Sequence, residues 1–168
     1  MKKIILSLVS VLFVLIAFSQ NDSIQPPYKR FPNFPPVKLL LPDSSSYFTK
    51  QDLNKKSPVM LMVFIPHCEL CQHETEELIR NIDKFVEKDI QVVMATSMLF
   101  DSMMAFRERY QLVKYKNIIV AQDPNFFLPS YYSLHNLPFL AFYNKKKELI
   151  SVFEGSLPMT AILEIFKD

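Results

Sequence analysis

The stretch that organises this chain reads VMLMVFIPHCELC and runs from Val59 to Cys71. Its first seven residues are all apolar, which is the pattern of a central strand buried on both faces of a sheet. Pro66 and His67 follow, and from Glu69 onward apolar side chains recur at helical spacing. The sequence therefore predicts a buried strand that leads directly into a helix.

The only two cysteines, Cys68 and Cys71, lie at this junction. At a helix N-terminus the unpaired N–H groups and the positive end of the helix dipole favour a Cys68 thiolate. Cys71 follows one turn later on the same face, where it could resolve a mixed disulfide. A bridge across two residues closes too small a loop to stabilise a fold much. We therefore interpret the pair as a redox dithiol rather than a structural disulfide.

Glu74 lies three residues after Cys71, on the cysteine face of the predicted helix. A partly buried carboxylate there could accept the Cys71 proton when that thiol attacks. The alternative is a solvated helix face that continues through Glu76 and Glu77. The pattern alone leaves both open.

The side chains around Cys68 allow several interpretations. His67 could stabilise a thiolate as an imidazolium, ligate a metal with the cysteines, or be a polar residue at the rim of the site. The negative charge of Glu69 disfavours a thiolate. A Cys68 of higher pKa suits a reductant or isomerase better than a strong oxidant.

Composition narrows the function further. The chain has 168 residues, a single glycine (Gly155), and 19 Lys and Arg against 17 Asp and Glu. One glycine excludes glycine-rich phosphate loops and nucleotide-binding fingerprints. Without Lys2 and Lys3 the charges balance, which gives no reason to expect nucleic acid or an anionic membrane surface as a partner.

The first residues have the pattern of a secretory signal peptide. A positive start is followed by an apolar run over residues 4–18 and by the small-x-small sequence Ala17-Phe18-Ser19. The run is shorter than the roughly twenty residues of a membrane-spanning helix. We expect cleavage before Gln20 and export to the periplasm, with an uncleaved anchor in the inner membrane as the alternative.

The rest of the chain alternates between strand and helix patterns. We predict strands over residues 37–41, 47–48, 59–65, 90–95, 117–121, 139–143 and 149–153. We predict helices over residues 69–87, from Asp101 or Ser102 to about Leu112, over 123–133 with an interruption at Pro129, and over 158–166, with a shorter turn capped by Thr49. This order predicts one α/β domain over residues 35–168, preceded by a proline-rich lead-in at 20–34 with little structure of its own.

The stretch from Val59 to Glu74 is similar to the active-site stretch of exported TlpA/ResA-like thioredoxins. Its core PHCELCQHE resembles redoxin-like proteins of the Bacteroidetes type, and the resemblance covers residues 35–166. It implies a thioredoxin-like sandwich, with a central mixed β-sheet flanked by helices. It also implies an N-terminal β-hairpin extension and an αβ insert between the CxxC helix and the strand after Pro138.

The resemblance implies catalytic roles for four residues and substrate contact for two. The four are the attacking thiol Cys68, the resolving thiol Cys71, the acid Glu74 and a cis proline, Pro138. Substrate contact is implied for His67 and for the Leu137 backbone before the proline. The resemblance further implies protein thiols and disulfides as substrates, a membrane electron donor, and no cofactor beyond the Cys68–Cys71 disulfide; we expect a monomer.

The chain also departs from the family pattern. His67 stands where a tryptophan usually precedes the first cysteine, and Leu70 replaces the common proline of the motif. Met62 occupies the position of the buried aspartate of cytosolic thioredoxins, so that proton relay is absent. Ile65 stands where the Thr-x-x-Cys motif of peroxiredoxins has its threonine, and we therefore predict no peroxidase activity.

Two other functions remain open. Cys68 and Cys71 with His67 or His73 could hold Cu(I), which favours soft thiolates, so a metal carrier is the main alternative. Gln72 excludes a Cys-x-x-Cys-His haem attachment site. The third possibility is a non-catalytic protein that kept the fold and binds partners through its surface.

Overall fold

The computed structural model describes residues 25–167. The predicted signal peptide, its cleavage point before Gln20 and the first residues of the lead-in lie outside this range. Within it, no helix is both long and apolar enough to cross a membrane.

Seven strands and six helices alternate along the described residues. The strands are β1 (Lys38–Leu40), β2 (Tyr47–Thr49), β3 (Val59–Val63), β4 (Gln91–Thr96), β5 (Ile118–Gln122), β6 (Phe139–Tyr143) and β7 (Leu149–Glu154). The helices are α1 (Pro27–Arg30), α2 (Glu69–Arg80), α3 (Ile82–Glu87), α4 (Phe100–Arg109), α5 (Phe127–Tyr132) and α6 (Met159–Ile165). Single 3₁₀ turns cover Lys50–Asp52 and Leu112–Lys114.

All seven strands form one mixed sheet in the order β2-β1-β5-β4-β3-β6-β7. β3, β4 and β5 are parallel, and the β6–β7 hairpin and the β1–β2 hairpin join antiparallel at either side. The N-terminal hairpin and the αβ insert, formed by α4 and β5, are both present, so the predicted mixed α/β architecture is confirmed.

The central strand β3 is buried at every position, as its apolar run predicts. Side chains that alternate along β3 enter two separate cores, because successive residues of a strand point to opposite faces. Met60 and Met62 pack under α2, α4 and α6, while Leu61 and Val63 pack under α5 and the lead-in. The sheet is therefore covered on both faces, and β3 ends at the cysteines.

The single helix predicted over residues 69–87 is wrong, because the chain breaks at Asn81 into α2 and α3. The Asn81 side chain donates a 2.9 Å hydrogen bond to the Glu77 carbonyl oxygen. Asparagine competes for backbone hydrogen bonds in this way and so favours helix ends. The apolar periodicity continues across the break, so the sequence pattern did not indicate that α2 ends there.

Helix α4 also differs from its prediction. It begins after Leu99, not at Asp101 or Ser102, and Leu99 gives no side-chain cap. It ends at Arg109, and Gln111 then takes a left-handed φ of 50°. Its Phe106 ring packs on Phe64, directly after β3, with centroids 4.6 Å apart.

The lead-in is more structured than predicted. Tyr28 of α1 packs on Tyr132 at 5.5 Å between ring centroids, and Phe34 is buried against Tyr143. The backbone of Asn33 pairs with Glu148, the residue before β7, through an isolated antiparallel bridge. Prolines suppress a regular pattern here, but the aromatic residues between them have apolar surface to bury.

Candidate active site

Cys68 is the N-cap residue of α2, at the carboxyl end of β3. Its sulfur accepts a 3.3 Å hydrogen bond from the Cys71 backbone N–H. The Cys68 side chain is partly exposed, and both cysteines are free thiols. A sulfur in this position faces the positive end of a three-turn helix and remains accessible to another molecule.

Cys71 lies one turn into α2 and is fully buried. It belongs to the same core cluster as Met62, the residue at the position where cytosolic thioredoxins carry an aspartate. Burial raises the pKa of the Cys71 thiol, and the hydrogen bond with Cys68 raises it further. Cys71 is thus a protonated thiol at neutral pH, and it needs a base before it can attack.

Glu74 is fully buried, so the face of α2 that carries it is not a solvated one. Burial raises the pKa of its carboxyl group, while hydrogen bonds from the Ser156 side chain and the Leu157 backbone oppose that rise. Both donors bind Oε2, and Oε1 has no hydrogen-bond partner. The carboxyl group therefore keeps one oxygen free on the helix that carries Cys71.

The Leu137–Pro138 peptide bond is cis, the isomer implied by the family resemblance. The Cys68 sulfur lies 3.9 Å from the Leu137 carbonyl oxygen, close enough for a weak S–H···O contact. The loop before β6 is thus brought against Cys68 across 69 positions of sequence. Pro138 itself is buried, and Leu137 is partly exposed.

His67 and Glu69 are exposed beside Cys68. His67 makes no hydrogen bond to either cysteine among the described contacts, which fits its interpretation as a rim residue. Within residues 25–167 no group of three His, Cys, Asp or Glu side chains is arranged to hold a metal ion. The Gln72 side chain donates a 2.8 Å hydrogen bond to the Pro66 carbonyl oxygen, which stabilises the turn between β3 and α2.

Ser156 is the site residue that sequence reasoning missed. It lies in the loop between β7 and α6, 82 positions after Glu74, and its hydroxyl donates to the Glu74 carboxylate. No local pattern marks a serine that acts through such a distant partner. Its position directly after Gly155, in the loop that leads into the last helix, was the only available signal.

A comparison with protein families matches residues 32–158 to the AhpC/TSA family. No curated protein sequence matches the chain.

Solved structures give further matches. A secreted Mycobacterium tuberculosis disulfide oxidoreductase homologous to E. coli DsbE is 16% identical, with a TM-score of 0.63 over 78% of this chain and 94% of that one. The exposed lipoprotein thioredoxin Etrx1 of Streptococcus pneumoniae is 24% identical, with a TM-score of 0.61 over 78% and 97%. A reduced Plasmodium vivax 2-Cys peroxiredoxin is 17% identical, with a TM-score of 0.64 over 80% and 91%. These likenesses confirm the thioredoxin-like fold.

Proposed function

This chain belongs to the AhpC/TSA family, and we propose that within it the chain is a thiol–disulfide oxidoreductase acting on protein disulfides. One observation carries the proposal. The partly exposed Cys68 sulfur lies at the N-terminus of α2, with the Cys71 N–H at 3.3 Å and the Leu137 carbonyl oxygen at 3.9 Å. Cys68 thus offers an accessible thiol next to the buried thiol of Cys71. The Leu137 backbone beside it provides a place for a substrate peptide to bind.

The reaction begins when the Cys68 thiolate attacks one sulfur of a substrate disulfide. A Cys68–substrate disulfide forms, and the other substrate sulfur leaves as a thiolate that takes up a proton. Cys71 then attacks the Cys68 sulfur, which releases the second substrate thiol and leaves the Cys68–Cys71 disulfide. Two electrons pass from the dithiol to the substrate, and both substrate sulfurs end as thiols.

Glu74 supplies the base for the second step. Cys71 is buried with a raised pKa, so its proton must be removed as its sulfur attacks. The Glu74 carboxylate lies one turn further along α2 and has a free oxygen, Oε1. Because the pKa of Glu74 is raised, it lies closer to the pKa of the Cys71 thiol than that of an exposed glutamate would. This makes transfer of the thiol proton to the carboxylate easier.

We also propose export and a reducing role. The signal-peptide pattern of residues 1–19 supports export, and proteins with related folds are described as secreted or as an exposed lipoprotein. Glu69 beside Cys68 supports a reductant over a strong oxidant. A membrane protein would then return electrons to the Cys68–Cys71 disulfide. Mass spectrometry of the protein purified from the cell envelope would detect a mature N-terminus at Gln20.

Peroxide reduction is the second candidate, because a 2-Cys peroxiredoxin is among the similar structures. The absence of a threonine three residues before Cys68 argues against it, since Ile65 stands there. Oxidation of the reduced protein by hydrogen peroxide, compared with its oxidation by a protein disulfide, separates the two functions. We expect disulfide exchange to be faster than peroxide reduction at equal concentrations.

The proposal is tested by replacing each cysteine with serine. Cys68→Ser should abolish reduction of a model protein disulfide by dithiothreitol above the uncatalysed rate. Cys71→Ser should instead accumulate a covalent complex with the substrate, because the Cys68–substrate disulfide can no longer be resolved. Mass spectrometry under non-reducing conditions detects that complex. Turnover that survives in Cys68→Ser would refute the mechanism.

A further inference from the structure

The lysines of this chain are concentrated at the end of the sheet opposite Cys68. The loops that precede the parallel strands β3, β4 and β5 lie at this end. The turn after β6 joins them, because Tyr143 at the end of β6 is opposite Val59 at the start of β3. The surface formed by these loops is here called the lysine face, and it covers residues 53–58, 88–90, 110–117 and 144–148.

The lysine face carries eight lysines against two acidic residues, a formal charge of +6. Seven of the eight are exposed, and the exception is Lys147. The loops at the other end of the sheet have the opposite balance. Four acidic residues and no lysine or arginine occupy those loops, which cover residues 41–46, 64–69, 97–101, 123–126 and 133–138.

The exposed lysines of this face are not neutralised by their neighbours. Among residues 25–167 the ion pairs involve Arg80 and Lys167, and none involves a lysine of the lysine face. The acidic residue Glu148 is engaged elsewhere, since its carboxylate accepts a 2.8 Å hydrogen bond from the Asn144 side chain. The face therefore presents unpaired positive charge to an anionic partner.

Hydrogen bonds join the four loops of the lysine face into one surface. The buried Lys147 ammonium group donates a 2.5 Å hydrogen bond to the Ser57 carbonyl oxygen, which joins the turn after β6 to the loop before β3. The Ser57 hydroxyl donates to Asp89, before β4, at 2.8 Å. The Asn117 side chain, before β5, donates to the Ile90 carbonyl oxygen at 3.2 Å. The exposed lysines are thus held on a preformed platform.

Exposed apolar side chains lie among the lysines. Val113 is 65% exposed and directly precedes Lys114. Ile150 is 46% exposed and lines one groove with Lys145 and Phe166. Basic residues beside exposed apolar side chains suit the boundary between the headgroups and acyl chains of an anionic bilayer. A soluble polyanion would gain nothing from the apolar side chains.

The lead-in meets the fold at the same face. The Asn33 backbone pairs with Glu148, and the Pro32 carbonyl oxygen accepts a 2.8 Å hydrogen bond from the Leu149 N–H. The apolar run of residues 4–18 precedes this pairing in the sequence. The part of the chain with the composition of a membrane segment therefore connects to the fold beside the lysines.

We propose that the lysine face binds the surface of an anionic phospholipid bilayer. The balanced net charge predicted no such partner, because net charge does not record how charges are distributed. Binding in this orientation directs Cys68 away from the membrane, since the five residues of β3 alone separate the two ends by about 17 Å. The acidic loops around Cys68 are repelled by the same bilayer. This inference concerns a second surface and does not depend on the proposed redox chemistry.

The first experiment measures co-sedimentation of the protein, as purified from the cell envelope, with two kinds of vesicle. One contains phosphatidylglycerol and phosphatidylcholine, and the other contains phosphatidylcholine alone. The measured quantity is the ratio of the two partition coefficients. Binding of the N-terminal apolar run to both kinds of vesicle cancels in this ratio.

The variants change pairs of exposed residues at the two ends of the sheet. Two variants remove charge from the lysine face, and the matched control lowers the net charge equally at the end that carries Cys68. The lysine variants are Lys55→Gln with Lys56→Gln and Lys145→Gln with Lys146→Gln; the control is Ser45→Glu with Asn125→Glu.

Wild-type protein should prefer the anionic vesicles by at least about a hundredfold at low salt, and the preference should weaken as salt screens the charges. Each lysine variant should lower the ratio roughly tenfold, and the control should stay within about twofold of wild type. Equal effects of the lysine variants and the control would overturn the inference, because net charge alone would then govern binding. So would tighter binding of the wild type to duplex DNA than to the anionic vesicles at the same salt concentration.

A second experiment tests the orientation on the bilayer. The chain contains no tryptophan, so one introduced tryptophan reports its own surroundings. Val113→Trp places it on the lysine face, and Leu99→Trp places it at the other end, where Leu99 is 74% exposed. Anionic vesicles should shift the emission of Val113→Trp to shorter wavelength and leave that of Leu99→Trp unchanged. A shift in Leu99→Trp, or an unshifted Val113→Trp in vesicle-bound protein, would overturn the assigned surface.

Discussion

Cys71 and Glu74 share a property that sets the pH dependence of the proposed reaction. Both side chains are fully buried one turn apart, and burial raises the pKa of each. A raised pKa leaves less of Cys71 as the reactive thiolate at neutral pH, and it makes the Glu74 carboxylate a stronger base. The resolving step therefore depends on Glu74 being ionised when Cys71 attacks.

Glu74→Gln should slow the resolving step by roughly a hundredfold, because the amide cannot accept the thiol proton. In wild-type protein the rate of that step should fall as the pH drops through the Glu74 pKa. Since burial raises this pKa, the inflection should lie above that of an exposed glutamate. Stopped-flow measurement of the decay of the mixed disulfide, across pH, follows the step directly.

The matched control is Glu76→Gln, on the exposed side of the same helix, where Glu76 lies 3.6 Å from Arg80. This variant should keep the wild-type rate and inflection. A Glu74→Gln variant that keeps the same inflection would show that another group titrates, and Glu74 would lose its role.

At the scale of elements, three segments distant in sequence converge on the start of α2. These are the end of β3, the loop before β6, and the loop between β7 and α6. In the last of these, Ser156 and Leu157 bind the Glu74 carboxylate, and the Gly155 N–H donates a 2.7 Å hydrogen bond to the Pro138 carbonyl oxygen. The carboxylate that we propose as proton acceptor lies on α2, and its hydrogen bonds come from a different part of the chain.

Ser156→Ala should raise the Glu74 pKa further, because the serine hydrogen bond stabilises the carboxylate. The inflection of the resolving step should move to higher pH, and the rate below it should fall. Ser156→Thr keeps the hydroxyl and should behave as wild type. An inflection that moves downward in Ser156→Ala would contradict the assigned hydrogen bond.

The elements that the sequence predicted well are those defined by local pattern. β3 and the start of α2 follow from an apolar run and the cysteine spacing, and all seven strands were found near their predicted bounds. The break at Asn81 and the Leu99 start of α4 were missed because each depends on a single backbone contact or conformation. The buried state of Glu74 could not be decided, since it depends on α6 and its preceding loop covering α2.

At the scale of the molecule, the lead-in belongs to the fold. The Phe34 backbone N–H donates a 2.8 Å hydrogen bond to the Lys147 carbonyl oxygen, and its ring meets Tyr143 edge-on at 5.1 Å. The Phe31 carbonyl oxygen accepts a 3.0 Å hydrogen bond from the Tyr131 hydroxyl. These contacts hold the residues before β1 against α5, the end of β6 and the turn before β7.

Phe34→Ala should lower the free energy of unfolding by about 3–5 kcal/mol, the usual effect of removing a buried phenylalanine. Phe31→Ala is the control, because its ring is exposed and the change should stay within about 0.5 kcal/mol. Urea unfolding of both variants measures the difference. Equal stability of the two variants would mean that the lead-in does not contribute to the core.

The reduction potential of the Cys68–Cys71 couple tests the central claim most directly. The protein would be equilibrated with glutathione and dithiothreitol buffers, and its thiols counted by alkylation and mass spectrometry. Disulfide exchange by a reductant predicts a reversible two-electron couple at or below about −220 mV, in the range of thioredoxin and the more reducing glutaredoxins. A value near about −120 mV would contradict the reducing role, and the absence of a reversible couple would contradict disulfide exchange itself.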